Sequence, residues 1–113
     1  MKKFALVLAL LASCGGWSKK DAALELGLMP AVAADWTQTE WITAHCQEGN
    51  PLIGACGQNV SLGWYFPATL AVHALVSAAL PQGWLRTTWQ AFTLGVEVKA
   101  VQRNSADGVR FWP

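Results

Sequence analysis

A chain of 113 residues has room for one domain. It is 53% hydrophobic and only 13% charged, where a soluble domain carries about 25% charged residues. Its net charge of +1 gives no electrostatic basis for binding nucleic acid or an acidic partner.

Seven Trp in so short a chain suit surfaces with one apolar and one wet edge, as at a membrane interface. The competing reading is a compact soluble helical domain with a Trp-rich core. The low charge favours the membrane. The expected fold class is all-α: an antiparallel transmembrane hairpin plus a short amphipathic helix, with a lipid bilayer as partner and no cofactor or metal.

The chain begins MKKFALVLALLASCGG. Lys2 and Lys3 precede an uncharged run over residues 4–12, the length of a signal-peptide core and too short to span a bilayer. Leu11-Ala12-Ser13-Cys14 resembles the lipobox of bacterial lipoproteins. That resemblance implies residues 1–14 as a leader, a lipid on Cys14 and an anchor in the cell envelope. The alternative is an uncleaved helix in which Cys14 is a small apolar residue. A second small-residue site, Ala-Val-Ala-Ala at 31–34, resembles an ordinary signal-peptidase site.

Next comes a helix over about residues 22–47. From Asp35 the i, i+3, i+4 face gathers Asp35, Gln38, Thr39 and Ile42 and continues to His45 and Cys46. Asp35 can cap a short helix here, with Gln38 reaching back. Trp36 and Trp41 are placed for a membrane surface. Gly49, Asn50 and Pro51 then end the helix and open a loop over residues 48–60.

Cys46 and Cys56 bracket that loop. On the oxidising side of a membrane they are a disulfide candidate; two free thiols are the alternative. His45 with both cysteines lacks a fourth metal ligand and a recognised zinc spacing. Neighbouring helical residues point about 100° apart, so His45 is badly placed to activate Cys46. A grouping of Asp35, His73 and Ser77 would be hydrolytic in type, but no nucleophile motif accompanies it. The residues favour no enzyme.

Residues 62–80 carry no formal charge and are long enough to span a bilayer. Trp64 and Tyr65 fit an interfacial belt, and Pro67 falls in the first turns, where its missing N–H costs least. Pro81-Gln82-Gly83 stops the helix and reverses the chain. The second arm, residues 84–102, contains Glu97 and Lys99, and a charge at mid-bilayer costs about 2.5–3.5 kcal/mol. Lys99 can snorkel; Glu97 must be protonated, paired or wet.

With the reversal near residue 82, positions whose numbers sum to about 165 lie level in an antiparallel pair. Glu97 is then expected beside Ala68, Thr69 and Tyr65, and His73 beside Phe92, Gln90 and Thr93. Such contacts are the ordinary polar glue between membrane helices, each worth about 0.6 kcal/mol. Alternatively His73 and Glu97 form a proton or ion site. Residues 103–113 read as a polar tail. Charge does not orient the hairpin: export of residues 35–61 leaves Lys99, Arg103 and Arg110 outside, against the positive-inside tendency.

Asp-Trp-x-Gln-Thr, then Asn-Pro-Leu-Ile-Gly, then two apolar segments with His73 and Gly-Val-Glu resembles a family of small bacterial and phage-encoded membrane proteins of unestablished activity. The matching residues are Asp35, Gln38, Thr39, Asn50, Pro51, Gly54, His73, Glu97 and Asn104, within a span of residues 35–104. The resemblance implies an inner-membrane location and a helical fold. It departs over residues 22–34, where the family's apolar helix is interrupted here by Glu25 and Pro30. Two functions are therefore expected to compete, with a surface lipoprotein whose Trp-rich body is soluble as a third. One is helix–helix association with a second copy or another membrane protein; the other is a membrane-embedded proton site or catalyst built on Asp35, His73 and Glu97.

Overall fold

A computed structural model describes residues 16–111 as three helices: α1 (Lys19–Ala44), α2 (Leu62–Ala79) and α3 (Trp84–Ala106). The all-α expectation holds among these residues. Cys14 and the leader lie outside them.

α1 is as long as the helix expected over about residues 22–47 but starts and ends about three residues earlier, and a different residue caps it. Ser18 Oγ accepts from the Asp21 amide and Asp21 Oδ2 accepts from the Ser18 amide, both at 3.0 Å. Two otherwise orphaned donors are thereby satisfied reciprocally. Asp35 is not a cap; it lies within the 26-residue helix. Pro30 points outward and interrupts nothing but its own hydrogen bond. The Ala-Val-Ala-Ala stretch is mid-helix, with Val32 buried.

The helix ends at Ala44, before the Asn-Pro turn expected to end it. Cys46 takes a left-handed conformation (φ 53°). Its amide donates to Thr43 O, and the Gln47 amide to Ile42 O, both at 3.0 Å. This paired return satisfies the last carbonyls. Cys46 is joined to Cys56 by a disulfide.

Within residues 45–61, Asn50 organises the turn. Its Oδ1 accepts from the Leu52 amide at 3.0 Å and its carbonyl from the Gly54 amide at 2.9 Å. Gly54 sits at φ +84°, and a Cβ there would meet the Gln58 side chain at 2.7 Å, so glycine is required.

α2 is stopped by Pro81, and Gly83 (φ +116°) supplies the reversal into α3. α2 runs antiparallel to both neighbours, while α1 and α3 are parallel: Asp21 meets Arg86, and Gln38 meets Ser105. α1 packs most extensively on α3, and the two arms of the hairpin touch each other least. α1 holds them together.

The apolar core is small: Leu28, Val32, Phe66 and Leu70. Trp36 joins it by stacking on Phe66 at 5.7 Å, and Trp41 stacks on His45 at 4.0 Å; Trp36 is thus in the packing. Around this core the interior is polar. Asp21, Glu25, Gln38, Thr39, Thr43, His73, Ser77, Arg86 and Gln90 are all buried, while Trp64, Val72, Leu75, Phe92, Val96 and Val98 are exposed. Many of the fully buried side chains are thus polar, while many large apolar ones lie on the surface.

Candidate functional site

The polar interior divides into three levels along the bundle. At the end carrying the α2–α3 turn, Arg86 Nη1 donates to Asp21 Oδ2 at 3.0 Å and to Gly16 O at 3.2 Å. Arg86 Nη2 donates to Leu80 O at 2.8 Å and reaches Ala78 O at 3.4 Å. Those are carbonyls that the end of α2 leaves without helical partners, so one planar guanidinium ties together all three helices. It also lies 5.2 Å above the Trp17 ring.

One turn further in, Glu25 collects three donors. The Ser77 hydroxyl donates to Glu25 Oε1, and Gln90 Nε2 donates to the same oxygen at 3.2 Å. The His73 Nδ1–H lies 2.9 Å from Oε1 and 3.0 Å from Oε2. His73 Nε2 is 2.5 Å from Thr93 Oγ1, and the imidazole stacks on Trp89 at 4.8 Å. The Trp89 indole N–H donates to Ser77 Oγ at 3.1 Å. Burial demands partners for such groups, and of the polar side-chain atoms in this cluster only Gln90 Oε1 is buried without one.

The sequence places His73 beside Thr93, and the hydrogen bond is there. Gln90 bonds Glu25 instead of His73. Asp35 does not join His73 and Ser77, which are held by Glu25; the hydrolytic grouping is not assembled. Asp21, Glu25, Arg86 and Gln90 were missed as site residues. Their signal was the matching four-residue spacing of Asp21/Glu25 and Arg86/Gln90, which puts each pair on one helix face.

At the loop end, Gln38 is fully buried. Its Nε2 donates to Ser105 Oγ at 2.9 Å and Val101 O at 3.3 Å, and its Oε1 accepts from Asn104 Nδ2 at 3.2 Å. Asn50 Nδ2 donates to the Tyr65 hydroxyl at 3.0 Å, tying the loop to α2. Asn59 Nδ2 donates to Pro51 O at 2.9 Å. Thus Asn50, Pro51 and Gly54 shape the loop.

Between the second and third levels, Asp35 and Glu97 face each other across α1 and α3 within hydrogen-bonding reach. The expected neighbours of Glu97, Thr69 and Tyr65, share a groove with it, but the direct partner is Asp35. Glu97 Oε2 is buried and receives no hydrogen bond from an N–H or hydroxyl group. No ion pair reaches either carboxyl among the described residues. Two carboxyls in contact bond only through a shared proton.

The pair separates two cavities. One, about 220 Å³, lies under the loop and is lined by Asp35, Thr39, Glu48, Asn50, Tyr65 and Asn104. The other is an apolar groove of about 600 Å³ between α2 and α3, bordered by Trp64, Val72, Phe92, Val96 and, at its polar end, Glu97. No group of three or more His, Cys, Asp or Glu side chains among the described residues is placed to hold a metal ion.

By length and composition, α2 alone among the described helices passes as a membrane span, with a mean hydropathy of 1.3. The expected transmembrane hairpin of two self-sufficient spans is therefore not supported, since α3 carries Arg86, Glu97, Lys99 and Arg103. Compared with protein-family models, curated proteins and solved structures, the chain matches none.

Proposed function

We propose that this is a small integral protein of the bacterial inner membrane that acts through helix–helix association, with a second copy or with another membrane protein. The observation that carries it is where the charges point. Between Asp21 and Glu40 in α1, throughout α2, and between Arg86 and Lys99 in α3, the only charged residues are Glu25, Asp35 and Glu97. Glu25 is buried, and Asp35 and Glu97 turn toward each other.

The outer surface at that level is apolar or neutral. On α1 it covers about 18 residues, or roughly 27 Å at 1.5 Å per residue. On α3 it covers the 12 residues between Arg86 and Lys99, or roughly 18 Å, which the snorkelling stem of Lys99 extends toward the ~30 Å of a bilayer's hydrocarbon. α1 and α3 need not be independently insertable, because Asp21, Glu25 and Arg86 are paired inside the bundle. Lys19 and Lys20 mark one boundary; Lys99 and Arg103 mark the other. With lipid on the outside, interior hydrogen bonds and close packing hold the helices, and the exposed Val72, Leu75, Phe92 and Val96 face tails or another helix.

The test is detergent dependence followed by cross-linking. The protein should precipitate from buffer lacking detergent, remain folded in micelles, and cross-link to itself or to a membrane partner through α2 or α3. A folded monomer in plain buffer overturns the reading. A second reading, a membrane-embedded proton or ion site, is favoured specifically by the Asp35–Glu97 contact between two cavities.

A further inference from the structure

We propose that the groove between α2 and α3 binds a lipophilic monovalent cation, exchanging it for the proton shared by Asp35 and Glu97. This rests on the second reading above and gives it a substrate class.

The groove, at about 600 Å³, falls within the 300–1,000 Å³ range typical of small-molecule sites. Its walls are largely aliphatic and aromatic, with Trp64, Trp89 and Phe92 among the lining residues, and aromatic rings attract a cation. Its only carboxyl is Glu97, backed by Asp35. Nothing nearby neutralises a second negative charge: His73, also on the groove, is committed to Glu25 and Thr93. The other titratable groups facing the pair are Glu48 from the loop and Tyr65 from α2.

A hydrated metal ion would need several oxygen ligands to replace its water, and aliphatic walls do not supply them. A cation whose charge is spread over an apolar body loses little hydration and gains the walls. It enters along the groove and approaches the Glu97 carboxyl at the groove's polar end. The shared proton leaves Asp35–Glu97 through the polar cavity under the loop, where Glu48, Asn50 and Asn104 can host water. One positive charge arrives as one leaves, and no bond other than O–H is broken.

The experiment uses the full chain in neutral detergent micelles with tetraphenylphosphonium as probe. Saturable binding above empty micelles is expected, with about one proton released per cation in weakly buffered solution. One-for-one exchange makes apparent affinity rise on the order of tenfold per pH unit while the pair holds its proton. Glu97→Gln should lose at least tenfold in affinity and release no proton, whereas Glu97→Asp should retain proton release.

Size-exclusion and circular dichroism check that Glu97→Gln folds; if it does not, Asp35→Asn takes its place, with cation binding retained and proton release lost, because Glu97 is then a carboxylate with no proton to give up. Absence of saturable binding, binding to the wild-type protein without proton release, unchanged affinity in a folded Glu97→Gln, or proton release that persists in a folded Asp35→Asn overturns the proposal. Detergent dependence is scored separately. A detergent-requiring, folded protein that binds no cation therefore sinks the groove site and leaves the membrane assignment standing.

Discussion

The Asp21 carboxylate and the Arg86 guanidinium, 65 residues apart in the chain, meet at 3.0 Å in the buried junction of all three helices. The same sequence offset brings Gln90 to Glu25, and a similar one brings Ser105 to Gln38. One register therefore aligns α1 with α3 along their whole length, and Arg86 also seals the end of α2 through Leu80 O.

Arg86→Ala should be strongly destabilising. It leaves Asp21 buried and unpaired and frees the α2 carbonyls, and breaking a buried ion pair from one side costs about 3–5 kcal/mol. Arg86→Lys should recover only part of the loss, since a point charge cannot serve Asp21, Gly16 and Leu80 at once. Thermal unfolding in micelles measures this; a wild-type melting curve for Arg86→Ala would contradict the role.

Glu25 should behave differently under two substitutions. Glu25→Ala strands the His73, Ser77 and Gln90 donors, at about 1–3 kcal/mol for each group left unsatisfied. Glu25→Gln keeps one acceptor oxygen and should fold with a smaller loss. If both variants melted together with wild type, the cluster would contribute nothing to holding the bundle.

The outward faces make an opposite prediction in lipid and in water. Val72 is 59% exposed and Phe92 68%, and in water Val72→Lys would shift stability within about 0.5 kcal/mol. In a bilayer the same change costs about 2.5–3.5 kcal/mol. Membrane-integrated yield after alkaline extraction should fall sharply for Val72→Lys and Phe92→Lys and stay level for Val72→Ala.

The loop should be covalently closed in its native compartment. Cys46 and Cys56 enclose a separation of 10 residues, and a ring of that size contributes about 2.5–3 kcal/mol on a chain-entropy estimate. In intact cells neither thiol should take a membrane-impermeant maleimide before reduction, and both should afterwards. Labelling without reductant would show free thiols. Labelling that needs lysis would put the loop end on the cytoplasmic side.

Much of the hairpin was readable before any fold was known. Residues 62–80 stand out by lack of charge, Pro81-Gln82-Gly83 by turn chemistry, and the antiparallel register follows from helical rise alone. That register correctly sets His73 level with Thr93. The start of α1 was not readable in the same way. Glu25 and Pro30 look like interruptions of an apolar helix, and Asp35 looks like a cap, when only local neighbours are considered. Glu25 is instead an acceptor for groups 48–65 residues away, and Asp35 is the counterpart of Glu97.

Sequence by itself determined the helical class, the two turns and which side chains were too polar for their surroundings, because these depend on rise per residue, turn stereochemistry and composition. Only the tertiary structure decided that Asp21, Glu25 and Arg86 turn inward and find partners, and that Asp35 meets Glu97. A carboxylate's cost depends on the donors around it, and those donors come from helices that lie close together only once the chain has folded.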